Sequence, residues 1–122
     1  MKVKIMYVKD NGDLAKERII LKALERVDIG RYLLCDSTYN DDGTVSNKLR
    51  HTFWFPDKVI EEGDFVALYT KFGADSQHDN KAETTTHYFY WGLDRPIWNK
   101  SGDGAVLFEL GTWSIKNMLG NY

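Results

Sequence analysis

Residues 2–9 alternate, with Val3, Ile5 and Tyr7 on one side and Lys2, Lys4 and Lys9 framing the other. That period of two predicts a half-buried strand. Lys9-Asp10-Asn11-Gly12-Asp13 follows as a turn, because Asn-Gly accepts the positive φ that tight hairpin turns need. Residues 16–25 fit two templates. As a helix they would gather Ile20, Ala23, Leu24 and Val27 on one side, and their Ala, Leu, Lys and Glu content favours that. As a strand they would align Ile19, Leu21 and Ala23. The strand is preferred because every neighbouring segment reads as one.

Ile29-Gly30-Arg31 predicts a turn and residues 31–36 a short strand. Residues 37–49 are polar, with Asn40-Asp41-Asp42-Gly43 inside them, and predict a loop or long hairpin tip. Residues 50–55 form an aromatic strand that stops at Pro56, which has no amide hydrogen for a ladder. Residues 58–64 turn at Gly63. Residues 65–71, apolar on both faces, predict a strand near the middle of the fold. Residues 72–83 are hydrophilic and predict a mobile excursion. Strands follow at 85–91, 104–110 and 113–118, the last with Trp113 and Ile115 on one face. Short strands at intervals of about ten residues describe an all-β domain, either a sandwich or a small barrel.

Composition narrows this picture. The 122 residues suit one domain spanning 1–122, and six Phe, seven Tyr and four Trp supply ample apolar surface. The formal charge of -2 gives no overall support to phosphate-driven nucleic-acid binding. Cys35 is the only cysteine, so no intrachain disulfide can form. Its apolar neighbours predict a packed thiol rather than a nucleophile. The N-terminal stretch has no apolar leader, and no segment reaches bilayer-spanning length. A cytoplasmic location is the expectation.

Motifs carrying chemistry are sparse. His51, His78 and His87 lack paired metal-ligand spacing, and the acidic loops at 40–43 and 75–79 do not match a calcium-loop pattern. No nucleophile elbow or phosphate loop is present. No cofactor or metal is expected, and no catalytic residue is assigned. The turn Trp98-Asn99-Lys100-Ser101-Gly102-Asp103 reads as structural: Trp98 packs beneath it, Gly102 takes positive φ, and Asp103 accepts backbone hydrogen bonds. The aromatic surplus is more informative. Trp54, Tyr88, Tyr90, Trp91 and Trp113 exceed what the inner faces of one sandwich hold. Alternation separates Tyr88 and Tyr90 from His87, Phe89 and Trp91, and one of these sets should face outward, either as an open patch or covered by the 37–49 or 72–83 loop folding over it. Trp54, His87, Tyr88, Tyr90, Trp91 and Trp113 are therefore the candidate interaction surface.

Four segments match one family pattern in order. Lys16-Glu17-Arg18-Ile19-Ile20-Leu21 looks like the E-x-I-x-L strand of the lamin tail domain family. Val27 to Leu34 is similar to its v-d-L-s-G-W-x-L segment, with Arg31-Tyr32 in place of Gly-Trp. Phe53-Trp54-Phe55-Pro56 with Ile60 to Val66 resembles y-x-F-P and l-x-p-G-g-x-v. Pro96 to Leu107 resembles p-v-W-N-N-s-G-D-t-a-x-L, with Lys100 replacing the second Asn and Trp98, Asn99, Gly102 and Asp103 kept. The resemblance implies an immunoglobulin-like β-sandwich of about seven to nine strands. It implies no enzyme activity. The chain looks like the stand-alone or modular lamin-tail-like domains of prokaryotes. The expected function is an interaction module that binds a protein partner or itself through an aromatic sheet face. The alternative, a nucleic-acid-binding module, would stand on Lys2, Lys4, Lys9, Lys16, Arg18 and Lys22 if the first two strands lie side by side. No membrane partner is expected.

Overall fold

The structure is a computed structural model and describes residues 1–38, 40–98 and 103–119. Among the described residues ten strands follow one another: β1 (Val3–Lys9), β2 (Arg18–Ala23), β3 (Val27–Asp28), β4 (Tyr32–Thr38), β5 (Thr52–Trp54), β6 (Val59–Ile60), β7 (Phe65–Tyr69), β8 (Ser76–Asp79), β9 (Thr85–Tyr90) and β10 (Asp103–Glu109). A 3-10 turn, Ile29–Arg31, separates β3 from β4. The chain is all-β, and no helix among the described residues is long and apolar enough to cross a membrane.

Three sheets result. A five-stranded sheet has the order β1-β2-β7-β9-β8, a three-stranded sheet β10-β4-β5, and β3 pairs with β6 alone. β7 sits at the centre of the large sheet, as its two-faced apolarity predicts. It pairs antiparallel with β2 and parallel with β9. The segment 16–25 is a strand, and Ile19, Leu21 and Ala23 are fully buried on one face. They meet Val66, Leu68 and Phe89 of the same sheet, and Tyr32, Leu34 and Phe55 from the smaller sheet and its exit. The two sheets thus share one core in a β-sandwich-like arrangement. Each large side chain buried there contributes roughly 1.5–3 kcal/mol.

Turn chemistry fixes the connections. The chain turns back between β1 and β2, as the Asn-Gly signal suggests, but through a longer connection from Lys9 to Arg18 in which Asp10 and Gly12, not Asn11, take positive φ (52° and 93°). Gly63 takes φ 88° at the turn before β7. Gly30 is required for close approach: a Cβ there would collide with Asp57.

Four local expectations fail. Residues 58–64 are not a turn throughout, because Val59–Ile60 pairs with Val27–Asp28 before the turn at Gly63. Tyr7 does not share a face with Val3 and Ile5. The ladder shifts register between Ile5 and Tyr7, so Met6 is an extra residue and Tyr7 turns outward, 52% exposed. Residues 72–83 are not a loose excursion, because Ser76–Asp79 forms β8 against β9. Its side chains are exposed throughout, so it shows no hydrophobic period. Residues 113–118 form no strand. β10 already occupies the ladder place beside β4, and the chain leaves across the sheet end, where the Leu110 amide donates to the Arg31 carbonyl (2.8 Å).

Candidate functional site

The register assigns each aromatic residue to a face. In the three-stranded sheet, Leu107, Leu34 and Phe53 align and point into the core. The alternate row, Phe108, Leu33 and Trp54, must then point outward, as must Val106, Cys35 and Thr52. Trp54 is 46% exposed and its Nε1 donates to the Gly30 carbonyl (2.8 Å). Trp113, equally exposed, meets Trp54 edge-on at 5.1 Å between centroids. The Arg31 guanidinium lies 5.5 Å from the Trp113 ring centre. The surface continues to a groove of about 580 Å³ between the 45–49 segment and β10, lined by Val45, Leu49, Val106 and Phe108 among others, with no charged side chain. Cys35 lies fully buried beneath this face, and burial pushes its thiol pKa up.

The outer face of the five-stranded sheet is different in kind. Its register gives three rows across the strands: Lys4, Lys22, Phe65, Thr86 and His78; Tyr7, Ile20, Ala67, Tyr88 and Ser76; Lys9, Arg18, Tyr69 and Tyr90. Tyr69 and Tyr90 stack nearly parallel at 5.4 Å. Arg18 and Lys71 lie over the Tyr69 ring at 5.6 and 5.3 Å, and Lys22 over Phe65 at 5.7 Å. Tyr90 is also packed against Gly73, where any Cβ would strike its ring. Burial, then the neighbouring Tyr69, Tyr88 and Asp75, raises the Tyr90 pKa.

The predicted interaction set therefore divides. Trp54 and Trp113 share the outside of the small sheet, and Tyr88 and Tyr90 share the outside of the large one. His87 and Trp91 belong to neither, which corrects their placement on a surface. His87 points inward, 4% exposed, in step with the core residue Phe89. Trp91 is half-buried against Phe53 and Trp98, with ring centroids at 5.9 and 6.1 Å.

Of the expected structural turn, Asn99 and Gly102 lie outside the described residues, together with Lys100 and Ser101. Trp98 is 4% exposed and packs in the core. Asp103 accepts from the Arg50 guanidinium at 2.6 Å.

Buried polar groups brace the two faces from below, and sequence reasoning assigned none of them. Glu17 is fully buried. Its carboxylate accepts from the Gly12 amide (2.9 Å), the Thr70 hydroxyl (2.6 Å), and the Ile97 (3.1 Å) and Trp98 (3.3 Å) amides. Asp64 meets His87 Nε2 at 2.9 Å and accepts from the Thr85 and Glu61 amides, each at 3.0 Å. Burial pushes the Asp64 pKa up, but the His87 hydrogen bond, the two amides and the His87 charge together hold it below the usual carboxylate range. Asp36, also buried, accepts from the His51 amide (2.6 Å), faces His51 Nδ1 at 3.1 Å and lies 3.5 Å from Arg50. His51 and His87 are thus held by different aspartates on different sheets. Among the described residues no three His, Cys, Asp or Glu side chains converge as a metal site. A sequence signal for Glu17 did exist: a carboxylate in step with the apolar positions Ile19 and Leu21.

The chain matches no protein-family model, no curated protein and no solved structure.

Proposed function

We propose that this chain is a non-enzymatic interaction module of the lamin-tail type, with an immunoglobulin-like β-sandwich topology. It binds a protein partner or a second copy of itself through the outer face of the three-stranded sheet. The family part of this reading is supported by the four ordered sequence segments. The single observation that carries the interaction is the continuous apolar surface from Trp113 and Trp54 through Leu33 and Phe108 to the Val45–Leu49 groove. Exposed apolar surface of this extent marks association sites, and tryptophan is enriched among the residues that dominate binding energy. The Trp54 Nε1 hydrogen bond and the Arg31 contact hold the two indoles in place, which lowers the entropy lost when a partner packs on them. A cytoplasmic setting suits a chain whose single cysteine, Cys35, is buried and forms no intrachain disulfide.

Light scattering on the purified chain separates self-association from capture of another protein. A dimer, or specific capture from native lysate by the monomer, supports the proposal when Phe108→Asp weakens it about tenfold or more. Phe108 is partly exposed, so the substitution leaves the core intact. Association that Phe108→Asp and Trp54→Ala both leave unchanged contradicts the proposal.

A further inference from the structure

The outer face of the five-stranded sheet lies on the far side of the core from the surface just described. Its charge is segregated. Lys4, Lys9, Arg18 and Lys22 occupy its register rows, and Lys71 lies over Tyr69. Against these five cations stand Asp10, which pairs with Arg18 at 2.7 Å, and Asp75 beside Tyr90. This cationic excess occurs in a chain whose formal charge is -2. Between the cations sits a pocket of about 290 Å³, lined by Tyr7, Ile20, Phe65, Asn80, Ala82 and two threonines. The register shift in β1 is what turns Tyr7 toward it. Its far wall is the turn into β9, held by Asn80 Nδ2 donating to Thr84 Oγ1 (3.2 Å) and Thr86 Oγ1 (2.9 Å).

The rings on this face decide between two anionic occupants. Single-stranded nucleic acid needs open ring faces on which bases stack. Here most of the rings are already engaged: Tyr69 with Tyr90, Tyr88 and two cations, Tyr90 with Gly73, Phe65 with Lys22. Tyr7, 52% exposed at the pocket, is one open ring and not a run on which successive bases stack. What the engaged rings offer a partner is their edges, between lysine and arginine side chains. That combination suits a protein surface, where tyrosine and arginine are favoured contacts. We infer that this face docks an extended acidic segment of a partner protein, with one apolar side chain of that segment seated in the pocket beside Tyr7 and Phe65.

The test uses the whole chain and a fluorescein-labelled peptide of about twelve Asp and Glu residues with one central Leu, read by anisotropy at low salt. Saturable binding is expected, weakened about tenfold by the double variant Lys4→Glu/Lys22→Glu. Replacing the probe's Leu by Asp is expected to weaken binding several-fold, about the loss of one buried apolar side chain. Both lysines are on the surface, and an unchanged circular dichroism spectrum confirms the variant's fold. Absence of binding at about 200 µM protein overturns the inference. So does equal binding by the double variant, or indifference to the probe's Leu. An oligothymidylate of similar length that binds more tightly and displaces the peptide also overturns it, in favour of nucleic acid. Phe108→Asp must leave peptide binding unchanged, so failure here is distinct from failure of the first surface.

Discussion

Glu17 shows how much one buried side chain can organise. Four donors from three separate stretches, the β1–β2 turn, the end of β7 and the segment before β10, converge on one carboxylate. Glu17→Ala strands those donors, each costing about 1–3 kcal/mol when buried and unsatisfied. We expect at least about 3 kcal/mol of destabilisation by urea unfolding, a large share of ordinary domain stability. A loss below about 1 kcal/mol would show that the donors find other partners. Asp64 and Tyr32 set the response to pH. The folded Asp64 pKa is depressed, so its contribution is present above the unfolded value of about 3.9 and is lost as pH falls through the folded pKa. Asp64→Asn should flatten that acidic limb. Tyr32 is fully buried, its hydroxyl donating to Glu109 at 2.9 Å. Burial first, then that hydrogen bond, raises its pKa to about 12. Its contribution is therefore present below the unfolded value of about 10 and is lost as pH rises through the folded one. Tyr32→Phe should flatten the alkaline limb in the same unfolding series.

Elements were legible where one face is buried and the other is not. β2 was only half legible: Ile19, Leu21 and Ala23 align as a strand face, but the same segment also fits a helix, and the neighbouring strands alone decided between them. β8 was illegible for a physical reason: an edge strand whose side chains are solvated on both sides carries no hydrophobic period. Hydrogen exchange checks it directly. Amides of β8 that bond to β9 should be protected far beyond those of the exposed 41–43 turn, whereas exchange at the turn's rate would mean that the strand does not persist. The 113–118 segment failed in the opposite direction. Its Trp113 and Ile115 alternate as in a strand, but alternation cannot report whether a ladder has room. Trp113 is anchored by Trp54 and Arg31 instead, and Ile115 is 85% exposed. Trp113→Ala should cost no more than about 1.5 kcal/mol, the scale of an aromatic pair, in the same urea assay. A larger loss would mean that the tail is part of the fold.

At the scale of the molecule, two sheets turn their inner faces to one core and leave two unlike outer faces, one apolar around Trp54 and one tyrosine-rich and cationic. Sequence alternation could pair Tyr88 with Tyr90 and separate them from His87 and Trp91. It could not say which set faces out, because inward parity depends on which side the second sheet covers. Nor could it place Trp54 and Trp113 on the opposite face from Tyr88, since that follows from long-range strand order. The side-by-side pairing of β1 and β2 does bring Lys4, Lys9, Arg18 and Lys22 together, but alongside rings most of which are already engaged. The central claim is that the face around Trp54 and Phe108 is where a protein binds. A photoreactive phenylalanine analogue placed singly at positions 54, 108, 88 and 25, irradiated in native lysate, tests it most directly. Covalent protein adducts at 54 and 108, with few at the exposed control position 25, are the predicted result. Adducts at position 25 as abundant as those at 54 and 108, or none at 54 and 108, would contradict it.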